Sequence, residues 1–381
     1  MVGINGTQEG FDIVIGNPPY VSVKEISPKD KQIFSKLFKT AIGQFDLYGL
    51  FLEKSIKLLK QRAILSFITP NSFLNNKDFS TLRKYLLNNS NIKIITNLNE
   101  TVFETAQVDV AITTLIKDNP LKSNKIKICR DKNDFLSQKY DLILQDRYNN
   151  EQNHFEIKLN CTEKDFEIIE NIYRNKILLG SVMDLPRGIE IGSNSDLIFT
   201  DNTGGLDKLL VGKDISKYGI SFNNRFISFK NQDKSKFKEI SIYKSEKILI
   251  QRIRNLSLKQ RLVCSYDDEG YLCTNTLRIG ILKTSSISLK FILGILNSKL
   301  INYLFLKYFL NRDIYAYQLE QIPIPELTIN QQQPISSLVN QILSAKKENP
   351  ATDTTVLERQ IDELVYELYG LTEEDIGIIN N

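Results

Sequence analysis

The chain has no tryptophan, one histidine, two methionines and four cysteines among its 381 residues. These scarcities exclude several chemistries. A structural zinc site needs several closely placed Cys or His ligands. Cys129, Cys161, Cys264 and Cys273 contain no CxxC pair, and His154 stands alone, so no metal site is expected. Four scattered cysteines make no disulfide framework and fit a reducing compartment, so the cytoplasm is the expected location. No apolar run reaches the ~20 residues needed to span a bilayer. Nor does the N-terminus show the basic stretch and apolar core of a signal peptide. No membrane partner is expected.

What is present is ordinary in amount and uneven in placement. The hydrophobic fraction of 41% and charged fraction of 25% are those of a globular protein long enough for two or three cores. The net charge of +4 conceals an asymmetry: Asp207 to Arg261 carries 14 Lys and Arg against 5 Asp and Glu. Such an excess suits a phosphate backbone, or equally a solvated lysine-rich surface.

Residues 1–120 alternate strand and helix signals. Phe11 to Gly16 reads as a buried strand closed by Gly and Pro. Phe45 to Lys60 has apolar residues at helical spacing. Ala63 to Thr69, Ile92 to Leu98 and Val108 to Ile116 read as further strands, with a helix from Phe79 to Asn88. Strands alternating with helices predict a mostly parallel α/β sheet. Residues 121–178 read as a connector with short strands and a helix from Thr162 to Lys176. Residues 179–285 contain many short β-like runs broken by Gly, Asn and Asp, which predicts a mainly β domain. Residues 286–381 read as helical, ending in the stripe Leu357, Ile361, Leu364, Val365, Leu368 with a glycine stop at Gly370.

One tetrapeptide carries chemistry. Asn17-Pro18-Pro19-Tyr20 follows the first apolar strand directly, and in open α/β sheets ligands bind at the carboxyl ends of strands. An exocyclic amine on a purine is a weak nucleophile, because its lone pair is delocalised into the ring. A side-chain amide oxygen and a backbone carbonyl, held rigid by two prolines, can accept hydrogen bonds from both of its N–H groups. The developing charge then meets fixed dipoles. Tyr20 would stack on the flat base once that base is flipped from the duplex. The bland alternative is a simple turn; a chance match to the four letters in this length is on the order of one in a thousand.

Phe11 to Lys117 resembles the gamma-class N6-adenine DNA methyltransferases of the Taq I type. The stretch Asp46-Leu47-Tyr48-Gly49-Leu50-Phe51 is similar to that family's next motif, and the resemblance implies that Leu47 and Phe51 enclose the adenine of the donor, S-adenosylmethionine. Val102 to Ala111 is similar to a late loop and strand, which implies that Phe103 touches the flipped base opposite Tyr20. Leu185 to Gly192, Leu210 to Tyr218, Lys247 to Ile253, Leu293 to Leu300, Gln321 to Pro325 and the ending from Leu357 resemble the target-recognition and terminal parts of fused (type IIG) restriction–modification methylases. The expected fold class is therefore a partial Rossmann-like methyltransferase sheet, then a mainly β target-recognition domain and C-terminal helices. Double-stranded DNA is the expected partner, with Arg187, Lys213, Arg252, Arg254 and Arg312 as contacts, since Arg pairs with guanine edges and Lys mostly meets phosphate.

The glycine-rich donor loop of that family lies upstream of the catalytic tetrapeptide, and none is recognisable from Met1 to Gly16. The expectation is a half-site: the base-holding side and the DNA reader here, the donor side on a partner chain or lost, and no turnover by this chain alone. The competing expectations are a non-catalytic DNA-specificity module and a fragment of a protein or RNA methyltransferase. Asp141, Asp146 and Glu156-Ile-Lys158 have nuclease-like spacing, but so common a pattern reads as chance.

Overall fold

A computed structural model describes residues 10–98, 109–151, 153–192, 195–202, 204–229, 238–255, 257–309 and 312–380. The chain divides into two compact units, Met1–Phe166 and Glu167–Asn381.

The first unit is built on a six-stranded sheet of β1 (Phe11–Gly16), β2 (Leu59–Pro70), β3 (Asn91–Asn97), β4 (Val110–Ile116), β5 (Lys125–Cys129) and β6 (Asp141–Leu144). Their order is β1-β2-β4-β3-β5-β6. β1 and β2 run parallel, as do β3 and β5. β4 runs antiparallel to both of its neighbours, and β6 to β5. The sheet is therefore mixed, not mostly parallel: alternation along the chain reports order, and does not report the direction of a strand inserted between two others. β5 and β6 come from the stretch read as a connector, and they extend this sheet at the end away from β1.

The helices α1 (Pro28–Leu37), α2 (Leu47–Leu58) and α3 (Ser80–Asn89) accompany it. α1 begins where Ser27 accepts from the Asp30 N–H and Pro28 occupies the first turn, a strong N-terminal signal. α2 buries Leu50, Leu52 and Ile56. β1 is the sheet's outer strand among the described residues, and its Phe11, Ile13 and Ile15, spaced two apart and so on one face, are exposed.

The second unit is β-rich, then helical. Strands Lys247–Gln251, Cys264–Asp267, Leu277–Leu282 and Met183–Asp184 form one antiparallel sheet centred on the first and third. A second sheet contains Asp207–Leu210, Phe226–Ile227, Ile198–Phe199 and Leu272–Cys273. Two cores result. One lies between the sheets and includes Leu209, Ile227, Leu249 and Ile279; the other joins Ile248 and Ile250 to the terminal helices through Phe291, Leu293, Val339 and Val365. The last helices behave as read: Thr355–Leu368 ends before Gly370 at φ +65°, and Thr372 and Asp375 exchange bonds at the start of Glu373–Asn380. No single described helix is long and apolar enough to cross a membrane. The bent pair Leu289–Asn297 and Lys299–Tyr308 passes the test only together, and most of its apolar residues lie in the core.

Candidate functional site

In the first unit the site grows from the carboxyl ends of β1 and β2. Asn17 to Tyr20 leave β1 without regular structure; Asn17 and Pro19 are exposed, Pro18 is buried and Tyr20 is half-buried. The Tyr20 hydroxyl donates to the Ile68 carbonyl of β2 at 3.3 Å, and its ring meets Tyr48 edge-on with centroids 6.4 Å apart. Burial raises the Tyr20 hydroxyl above its ordinary pKa, so it stays a donor. Tyr48 is fully buried and also meets Phe73 and Phe79.

The chain past Tyr20 is stitched to the start of α2. Leu47 N–H donates to the Val21 carbonyl and Val23 N–H to the Phe45 carbonyl, each at 2.9 Å, around a Ser22–Asp46 bridge. Burial pushes the Asp46 carboxyl up, the Ser22 hydroxyl pulls it down, and Glu25 raises it again. The excursion between these anchors, which includes α1, is tied down by Glu53. Its buried carboxylate accepts from Lys39 N–H, Thr40 N–H and the Thr40 hydroxyl and pairs with Lys57 at 2.6 Å. The tetrapeptide is thereby fixed to the helix that carries Leu47 and Phe51. Those two lie one turn apart on α2, and neither is buried: Leu47 is intermediate and Phe51 is 46% exposed. A core role would cover Phe51; an uncovered aromatic beside the tetrapeptide's anchor fits a contact for a flat apolar ligand group.

Beyond β2, Asn71 N–H donates to the Asp109 carbonyl, and the Asn71 amide donates to Asn97 at 3.0 Å. The turn is held from below by Arg83, which sequence reasoning missed. Its buried guanidinium donates to the carbonyls of Phe73, Asn76 and His154 at 2.6–3.1 Å. Burial pulls it down to about 10 against the opposing pull of Glu156. Phe103 lies outside the described residues. Glu156 and Lys158 pair with each other at 2.7 Å.

In the second unit the sequence-predicted basic residues separate by what their side chains do. Arg187 stands opposite Arg278 in an antiparallel bridge, and Arg278 stands opposite Ile250 on its other side. Opposite residues share a face and diagonal ones are within reach of long side chains, so Arg252, two beyond Ile250, joins them. Gly188 permits the approach, because a Cβ there would sit 2.3 Å from the Thr274 carbonyl oxygen. Lys213 is exposed on a turn pinned to the same strand ends: Gly212 N–H donates to Thr276 and the Gln251 amide donates to the Gly212 carbonyl, both at 2.8 Å. Arg254 donates to the Gln260 carbonyl at 2.8 Å and to the Gln251 side chain, so it works inside the fold. Arg312 is exposed, and its carbonyl accepts from Arg254 N–H. Arg278 and Arg261 were not singled out. Both are buried and donate to backbone carbonyls. Their sequence signal was a charge inside or beside an apolar run, as in Leu277-Arg278-Ile279.

Residues 2–103 match the Eco57I restriction-modification methylase family, and residues 207–324 match the TaqI-like C-terminal specificity domain. RM.MjaORFECS2P of Methanocaldococcus jannaschii is 29% identical over 95% of this chain and 31% of its own length. The type II restriction enzyme and methyltransferase RM.Eco57I of Escherichia coli is 34% identical over 30% of this chain and 12% of its own length. The chain thus spans less than a third of either relative. Among solved structures, the Type IIL restriction-modification enzyme MmeI, in complex with DNA, shares the fold with a TM-score of 0.61 at 15% identity, covering 96% of this chain and 56% of that one. The methylase segment coincides with the Asn17–Tyr20 loop and α2, and the specificity domain with the sheet that gathers Arg252 and Arg278. This chain therefore carries one segment that matches the Eco57I restriction-modification methylase family and another that matches the TaqI-like C-terminal specificity domain, and it is similar to type II restriction–modification methyltransferases.

Proposed function

We propose that this chain holds the target base and reads the duplex for N6-adenine methylation of DNA within a restriction–modification system, with S-adenosylmethionine as donor. The observation that carries this reading is the Asn17–Tyr20 loop, fixed at the carboxyl ends of two parallel strands and stitched to α2 beside an uncovered Phe51.

When bound, S-adenosylmethionine supplies an electrophilic methyl group. The residues of this chain do the rest. The Asn17 side-chain oxygen and the Pro18 carbonyl accept hydrogen bonds from the adenine amine, which directs its lone pair towards the methyl group and stabilises the charge that develops on nitrogen. Tyr20, its hydroxyl spent on Ile68, offers a ring to stack on the flipped base. Leu47 and Phe51 pack against the donor's adenine. Arg187, Lys213, Arg252 and Arg312 meet the duplex.

β1 supports the half-site reading. Strands of parallel sheets are normally buried on both faces and paired on both edges. Ile13 is 58% exposed and Ile15 is 77% exposed on a strand whose one described neighbour is β2. The donor-binding layer of the sheet would pair with this edge and cover this face, whether it comes from the same polypeptide or a partner chain. Without that layer the chain should show no turnover.

The test is Asn17→Ala in a preparation that includes the donor-binding layer. Transfer of labelled methyl should fall by about 100- to 1000-fold, the usual cost of losing one preorganised polar group, while duplex affinity is kept. Retained turnover, or methylated cytosine rather than N6-methyladenine in the digested product, would overturn the assignment.

A further inference from the structure

The arginines of the specificity domain are not equivalent. Arg278, Arg261 and Arg254 spend their donors on carbonyls or on Gln251. Arg252 does not: its Nε lies buried with no hydrogen-bond partner among the described residues. A buried N–H without an acceptor loses its hydration and gains nothing in return, so it points to a partner that completes it. Three guanidiniums also share this face. Arg187 and Arg252 are close enough to Arg278 to oppose its charge, joining burial in pulling it down to about 10; Asp313 and Glu320 oppose this only in part. Arg187 has a single loose ion pair, with Glu190 at 3.5 Å. Beside them, Ile253 bridges Asp313, and a depression of about 350 Å³ opens between Ile253, Arg312, Asp313 and Tyr315.

We infer that Arg252 and Arg187, backed by Arg278 and rimmed by Arg312, form a built subsite for a single backbone phosphate of duplex DNA. The inference rests on the proposed DNA-reading role of this unit and assigns one contact class within it. A phosphate fits where a base edge does not. Its oxygens protrude from the duplex and reach a recessed N–H, whereas a guanine edge needs a guanidinium projecting into the groove. A phosphate also supplies both missing elements: an acceptor for Arg252 and negative charge for a face with three guanidiniums and two partly compensating carboxylates. The Arg187–Glu190 contact is long enough to yield when a stronger acceptor arrives. Arg278 takes a positioning role, because its Nε and Nη1 already donate to the Ile314 and Leu185 carbonyls and its charge sets the local potential. Sequence reading would then depend on other residues, with this subsite fixing the register of the domain on the duplex.

The experiment is anisotropy titration of the full chain with a fluorescent duplex of mixed sequence, repeated over a range of salt concentrations. Arg252→Met keeps the aliphatic stem and removes the charge and donors. Affinity should drop by about 10- to 100-fold, the slope of log affinity against log salt should shrink by about one, and the loss should be equal for every duplex tested. Arg252→Lys should restore most of the salt slope and only part of the affinity, since it keeps charge and loses the planar fork. If Arg252→Met lowers the thermal midpoint, Arg187→Met carries the same test from an exposed position. An unchanged slope, or a loss confined to certain sequences, overturns the phosphate assignment and leaves DNA reading intact. Failure of the unmodified chain to bind any duplex overturns both.

Discussion

Two short apolar strands of this chain look alike on paper and live differently. Phe11-Asp-Ile-Val-Ile-Gly16 and Lys247-Ile-Leu-Ile-Gln251 have similar length and similar aliphatic content. The second is the centre of its sheet, paired on both edges, with Ile248, Leu249 and Ile250 fully buried in two different cores. Among the described residues the first is paired on one edge, and its face of Phe11, Ile13 and Ile15 is uncovered. Apolar composition states what a strand can bury. It does not state what is present to bury it. The uncovered strand is also the one that delivers Asn17, whereas the covered one delivers Arg252 from a rigid platform.

The sharpest way to break the comparison is to damage the closed strand. Lys247 and Asp267 form an ion pair at 2.5 Å with both side chains fully buried, and Asp267 also accepts from the N–H groups of Glu269, Gly270 and Tyr271. Lys247→Met leaves a buried carboxylate without its cation and should cost about 3–5 kcal/mol in denaturant unfolding of the second unit. The double variant with Asp267→Asn should recover much of that loss. On β1 the corresponding pair, Lys60 with Asp12 at 3.1 Å, is solvated, and Asp12→Asn should change stability by less than about 1 kcal/mol. Equal costs for Lys247→Met and Asp12→Asn would erase the distinction.

The same contrast explains what the sequence made legible. α2, β2 and the terminal helices could be read because local signals coincide with burial there: a proline stop, a helical stripe, a glycine at positive φ. β1 is legible as a strand, but its expected burial is not met, because Phe11, Ile13 and Ile15 are exposed. Tertiary choices could not. The antiparallel direction of β4 depends on which strands flank it. Arg83 and Arg278 are charged residues that belong to the interior only because carbonyls converge on them from residues as distant as His154 and Leu185. Arg254 has the same sequence neighbourhood as Arg252, Gln251 to Asn255. Only the Gln260 carbonyl, brought back by the following loop, separates an engaged arginine from one with a free buried N–H.

A subtler effect concerns pH. The open region depends on a few polar ties, among them the Glu53 carboxylate, which holds Lys39, Thr40 and Lys57. Burial alone would raise its pKa, but Lys57 and the Lys39 and Thr40 N–H groups outweigh that and hold it below the ordinary value of 4.5. A carboxyl depressed in the folded state stabilises fully above its unfolded value, and that contribution is lost as pH falls through the folded one. Glu53→Gln should therefore lower the thermal midpoint at neutral pH. The gap to the unmodified chain should close as the pH drops below 4.5. A gap independent of pH would mean that Glu53 acts through shape alone. The closed sheet around Lys247 should not respond to this substitution.

The smallest expected effect is also the most direct measure of how open β1 is. Ile15 projects from the outer strand at 77% exposure, opposite Ser66 of β2. In the chain by itself, Ile15→Lys removes no packed neighbour and should shift stability by no more than about 0.5 kcal/mol in denaturant unfolding. The equivalent change at Ile250 would place an ammonium in the helical core and should prevent folding of the second unit. Once the donor-binding layer is supplied, however, the lysine would lie beneath it, and the stability gained on association should fall well below that of the unmodified chain. A cost above about 1 kcal/mol in the chain alone would mean that β1 already has a cover. The exposed isoleucines would then no longer support the proposed docking of a donor-binding layer on this strand.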